Sequence, residues 1–178
     1  VAPDRVRLAL VDRVDTRADW PFAFHFALEV VLSDALHVRF VHTNTAPVAV
    51  EVAGALHTYV RAHDATLHGL EDSPFHDKLV GQDRPPEHRP LVVDQAMDRI
   101  YAGRPVVRVA HAEGTLVAEQ DTPAVVVWNP GAEKAAAMPD LGAGEHRAFV
   151  CVEAAATQLQ TVVSGGTWSL SQRLRVES

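Results

Sequence analysis

The chain is short of several things, and each shortage removes a class of function. It has one cysteine, Cys151, which excludes an internal disulfide and any cysteine-rich zinc or iron–sulfur site. No stretch approaches 18 uninterrupted apolar residues, so nothing reads as a membrane-spanning helix. The amino terminus lacks the charged-then-apolar order of a signal peptide. Positive charge is scarce too: 16 Lys+Arg stand against 23 Asp+Glu, a formal charge of −7, with no basic run. Such a chain repels phosphate backbones, which argues against nucleic acid as a partner. Lysine is the scarcest cation, with only Lys78 and Lys134 beside 14 arginines, a bias that alone carries little functional weight. What remains is a soluble, cytoplasmic protein. Its 178 residues, 47% hydrophobic, suit a single domain spanning 1–178 with a sizeable core.

Helical periodicity is also nearly missing. Only 132–138 reads as helix. Alternation with period two dominates instead, the mark of half-buried strands. Val6, Leu8 and Leu10 form one such row, and Phe22, Phe24, Phe26, Leu28, Val30 and Leu32 form an unusually long second one. After Ser33 and Asp34 the row resumes at Leu36, Val38 and Phe40, which predicts a β-hairpin. Val48, Val50 and Val52 open another strand. Shorter ones are expected near 65–69, 105–111, 115–119, 124–128, 147–153, 159–163 and 167–176. The three prolines of 84–90 predict an irregular loop. About ten strands and almost no helix imply an all-β fold, a large antiparallel sandwich or barrel.

Residues able to carry chemistry are few. His57 lies where a valine-rich strand meets Gly54, beside Tyr59; a lone histidine there is ordinarily a packing or surface residue. The ten histidines form no H-x-H pair and no H-E-x-x-H, so no metal site is expected. Glu153 ends a run, 147–153, apolar enough to bury it, and a buried carboxylate must find a partner or shift its pKa. The plainer expectation is that it emerges into solvent at the strand end. Asp98 reads alone as a surface ion-pair or turn residue, and Trp128-Asn129-Pro130 as a strand end and turn.

Taken in order, these segments say more. Ala55-Leu56-His57-Thr58-Tyr59, Gly69-Leu70, Phe75-His76-Asp77-Lys78, Asp98-Arg99-Ile100-Tyr101, Val126-Val127-Trp128-Asn129-Pro130, Met138-Pro139-Asp140 and Phe149-Val150-Cys151-Val152-Glu153 together resemble the hexose-6-phosphate mutarotase family. These are glucose-6-phosphate 1-epimerase-like proteins of the galactose-mutarotase superfamily. The resemblance runs from about Val6 to Val176.

The resemblance implies a galactose-mutarotase-like β-sandwich with a concave sugar-binding face and an isomerase that interconverts the α and β anomers of a hexose 6-phosphate. It implies His57 as general acid, Glu153 as general base and Asp98 as a binder of sugar hydroxyls, with no cofactor or metal. The chemistry suits these residue types. Anomerisation needs the C1 hydroxyl deprotonated and the ring oxygen protonated, so that the hemiacetal opens, rotates about C1–C2 and recloses. Each proton transfer is worth roughly 10²–10⁴-fold. Against the family pattern, Val60 stands for a common Phe, Met97 for Thr, Gly131 for Trp and Ala154 for Pro. The chain also opens on Val1, not Met, and family members are longer, with arginines in an amino-terminal portion that grip the 6-phosphate. None of the 14 arginines here matches those. The expectation is therefore the carboxy-terminal portion of the family sandwich, lacking its first strands and an arginine cluster. Two other readings stay open: a non-catalytic carbohydrate-binding module, and a mutarotase for an unphosphorylated sugar.

Overall fold

The computed structural model describes residues 4–177; Val1 lies outside them. From the amino end the strands are β1 (Asp4–Val11), β2 (Phe24–Leu32), β3 (Leu36–Asn44), β4 (Val50–Leu56), β5 (Tyr59–Arg61), β6 (Thr66–His68), β7 (Phe75–Asp77) and β8 (Gln82–Arg84). They continue with β9 (Leu91–Val92), β10 (Met97–Ala102), β11 (Val107–His111), β12 (Gly114–Gln120), β13 (Ala124–Asn129), β14 (Phe149–Val162) and β15 (Thr167–Glu177). One sheet has eight strands in the order β1-β2-β3-β15-β12-β11-β6-β9. The other has seven: β4-β14-β13-β10-β7-β8, with β5 also on β14. Every recorded pairing is antiparallel, so the expected antiparallel sandwich is the architecture found.

The core lies between the sheets. Leu67, Val107, Val109 and Ala118 of the eight-stranded sheet meet Val125, Val127, Val150 and Val152 of the other, all fully buried. Each such valine contributes about 1.5–3 kcal/mol by leaving water. Valine suits this place because its branched Cβ fits the pleat. The predicted β2–β3 hairpin is present, running from Phe24 opposite Asn44 to Leu32 opposite Leu36, with Ser33 N–H donating to Ala35 C=O across the turn at 3.0 Å. Strand β1 pairs with β2 along its whole length, and Val6, Leu8 and Leu10 remain exposed there.

Some elements differ from expectation. The two strands predicted at 147–153 and 159–163 are one, β14, whose pairing with β4 shifts register between Ala156 and Gln160. A bulge there interrupts the alternation and makes one strand look like two. The helix read at 132–138 is α2 (Gly131–Ala136), and two further single turns occur, α1 (Thr16–Asp19) and a 3₁₀ turn at Glu145–Ala148. Gly131 starts α2 at φ +67°, and an added Cβ would lie 2.7 Å from the Cβ of Ala96. With Ala96 this close and φ positive, glycine is the residue that fits this turn without strain.

Candidate active site

The candidate residues gather on the outer side of the seven-stranded sheet, and strand register explains how. Along β14, Val150, Val152 and Ala154 point to the core, so Cys151 and Glu153 point the other way. Cys151 stands opposite Trp128 of β13, and Trp128 opposite Asp98 of β10. Glu153 stands two pairs further along, opposite Val126, which is opposite Ile100. Alternation thus places Glu153, Trp128 and Asp98 on one face.

His57 arrives by a different device. Strands β4 and β5 are two halves of one neighbour of β14, Leu56 pairing with Ala154 and Tyr59 with Cys151. Between them the ladder breaks at His57 and Thr58, where Thr58 N–H donates to Leu56 C=O at 3.0 Å. The break turns the imidazole over β14, and its Nε2 lies 3.2 Å from Oε1 of Glu153. The Thr58 hydroxyl points into the core instead, donating at 2.6 Å to Oε1 of Gln172 on β15. Gln172 is 2% exposed and also donates to Val152 C=O at 2.9 Å, so one glutamine from the opposite sheet ties together the neighbours of His57 and Glu153. Tyr59 stacks on the imidazole with centroids 5.1 Å apart, and Trp128 meets it edge-on at 5.6 Å.

These residues border a cavity of about 720 Å³ with His57, Lys78, Asp98, Trp128, Lys134 and Glu153 in its wall. Its floor is alanine-rich, including Ala55, Ala155 and Ala156, which leaves room above the sheet. Glu153 is 6% exposed, so the plainer expectation of a solvent-facing strand end is not met. Burial pushes its carboxyl up to about 7, the Asp98 charge adds to the rise and Lys78 opposes it. Asp98 itself is held by Lys78, whose Nζ is 3.1 Å from Oδ2. Lys134 lies with its Nζ 5.3 Å from the Trp128 ring centroid.

The three sequence-derived candidates thus line one cavity. His57 and Glu153 are in direct contact on the cavity wall. Among the described lining residues the cations are Lys78 and Lys134, with no arginine. Reading the sequence missed both lysines. Their rarity was the available signal, but nothing in the sequence said that the two positions converge. Among the described residues, no group of three His, Cys, Asp or Glu side chains is placed to hold a metal ion. No helix among them is long and apolar enough to cross a membrane.

The family model described as Aldose 1-epimerase matches residues 1–175. A protein of Cenchrus ciliaris with the provisional name glucose-6-phosphate 1-epimerase is 32% identical over 162 residues, 84% of this chain and 49% of that protein. The chain thus spans about half the length of this curated relative. A crystal structure from Salmonella typhimurium, provisionally described as the mutarotase YeaD, superposes with a TM-score of 0.89 at 21% identity, covering 99% of this chain and 63% of that one. A galactose mutarotase related enzyme from Lactobacillus acidophilus superposes with a TM-score of 0.77 at 14% identity, covering 98% and 68%.

Proposed function

Since the chain belongs to the aldose 1-epimerase family, we propose that it interconverts the α and β anomers of a hexose 6-phosphate by acid–base ring opening. The observation that carries the reading is the meeting of His57 and Glu153 at 3.2 Å on the wall of a sugar-sized cavity, with the Glu153 carboxyl near 7. A carboxyl with that pKa is a far stronger base than an ordinary glutamate and is still half-ionised near neutrality. Glu153 takes the proton of the C1 hydroxyl while the His57 imidazolium protonates the ring oxygen. The C1–O5 bond breaks, the aldehyde rotates about C1–C2, and the same two groups reverse their transfers as the ring recloses.

Asp98, held in place by Lys78, accepts hydrogen bonds from sugar hydroxyls on the far side of Glu153. Its negative charge also helps to hold Glu153 basic. Trp128 offers an apolar plate against which the C–H face of a pyranose packs. The phosphorylated substrate is supported by the name of the Cenchrus ciliaris relative, 32% identical to this chain.

Anomer-exchange NMR on glucose 6-phosphate tests the reading. The protein is expected to accelerate exchange, and Glu153→Gln to remove roughly 10²–10⁴-fold of that acceleration. No acceleration for any aldose, phosphorylated or free, leaves the non-catalytic sugar-binding alternative.

A further inference from the structure

Both lysines of the chain stand at this one cavity, while its 14 arginines all lie elsewhere. The two lysines do different things there. Lys78 is bound to Asp98 at 3.1 Å, so its charge is matched. Lys134, exposed on α2, contacts no carboxylate among the described residues and rests on the Trp128 indole, a weak contact in an exposed place. The wall therefore carries one cation free to be exchanged onto a ligand.

Position says which part of a ligand it would meet. The same indole lies 5.6 Å from the His57 imidazole and 5.3 Å from the Lys134 ammonium. A sugar with C1 at His57 and Glu153, its ring laid along Trp128, directs its C6 end toward Lys134. Two other cavities are weaker candidates for an anion. On the eight-stranded sheet, Arg173 is already held by Glu119 at 2.9 Å and Asp34 at 3.0 Å. An adjoining cavity that shares Ile100 and Thr157 holds Arg84, further along the sheet on β8.

We propose that Lys134 is the specificity-determining residue of the site, leaving the face of Trp128 to bind a phosphoryl group at the sugar's C6 end in place of an arginine cluster. The inference rests on the mutarotase reading for where C1 lies. Lysine suits the task as a compact point charge on a flexible stem, able to move between an aromatic face and a dianion.

With two lysines, protein carrying ¹³C-lysine gives two ε-methylene signals, and Lys134→Met tells them apart. Saturating glucose 6-phosphate is expected to shift the Lys134 signal, and glucose to move it far less. Lys134→Met is expected to lower the kcat/KM preference for glucose 6-phosphate over glucose by about tenfold or more, whereas Arg84→Ala retains it. A Lys134 signal unmoved by saturating glucose 6-phosphate, an unchanged preference in Lys134→Met, or a loss seen in Arg84→Ala instead would each overturn the proposal. The signal needs no turnover. A phosphate-dependent shift without anomer exchange would therefore sink the mutarotase reading while Lys134 keeps its role, and exchange without the shift would do the reverse.

Discussion

Glu153 is held where a carboxylate is least at home, and its effects on stability and on rate have the same origin. Its carboxyl is raised from about 4.5 to about 7 by burial first and by Asp98 second. A raised acid is protonated more readily in the folded state, so folding is favoured least once it must ionise. Below pH 4.5 the group costs nothing. Between pH 4.5 and 7 stability falls, by on the order of 3 kcal/mol in all, and then levels. Glu153→Gln is expected to flatten that fall, as denaturant midpoints at pH 4.5 and pH 8 will show. The rising limb of the pH–rate profile is expected near pH 7, and Asp98→Asn is expected to move it to lower pH by removing a negative neighbour and freeing Lys78. A limb unmoved by Asp98→Asn would contradict the electrostatic link. Gly131 is constrained by geometry instead. Gly131→Ala places a Cβ 2.7 Å from the Cβ of Ala96 at a positive φ, and a loss of about 1–3 kcal/mol is expected in thermal unfolding.

Among the elements, the break between β4 and β5 matters most, because it aims His57. Its anchor is the Thr58 hydroxyl on buried Gln172. Thr58→Val is expected to cost about 1–3 kcal/mol by stranding that amide oxygen, with Thr58→Ser restoring it. Equal stabilities for the valine and serine variants would show that the bond is not the anchor. Sequence patterning reaches only part of this. The β2–β3 hairpin is legible because one face of it is apolar from Phe24 to Leu32 on β2 and from Leu36 to Phe40 on β3. Strand β10 is not, because polar side chains occupy both of its faces: Asp98 looks to the cavity, and Arg99 lies inside against Glu87 and Tyr101. For the site, the segments around His57, Asp98 and Glu153 are recognisable as residue types in order. The contact between His57 and Glu153 is not, because it depends on a two-residue break whose direction is set by a glutamine 114 positions away from Thr58.

At the scale of the whole molecule, the two sheets are unequal partners. The eight-stranded sheet ends in β1, whose Val6, Leu8 and Leu10 are 56%, 59% and 40% exposed. An exposed apolar row on an edge strand is a template for association. Leu8→Glu is expected to leave stability within about 0.5 kcal/mol and to reduce self-association in sedimentation runs at high concentration; an unchanged sedimentation profile would show that this edge is inert. The distribution of cations has a practical side as well. Both lysine side chains of the sequence border the cavity, and no other part of the surface carries a side-chain primary amine. Reagents that couple to amines, usually chosen because they scatter harmlessly over a protein's exterior, are here directed at the mouth of the site. Among side chains, a succinimidyl dye or an amine-capture surface would therefore mark the cavity wall and nothing else.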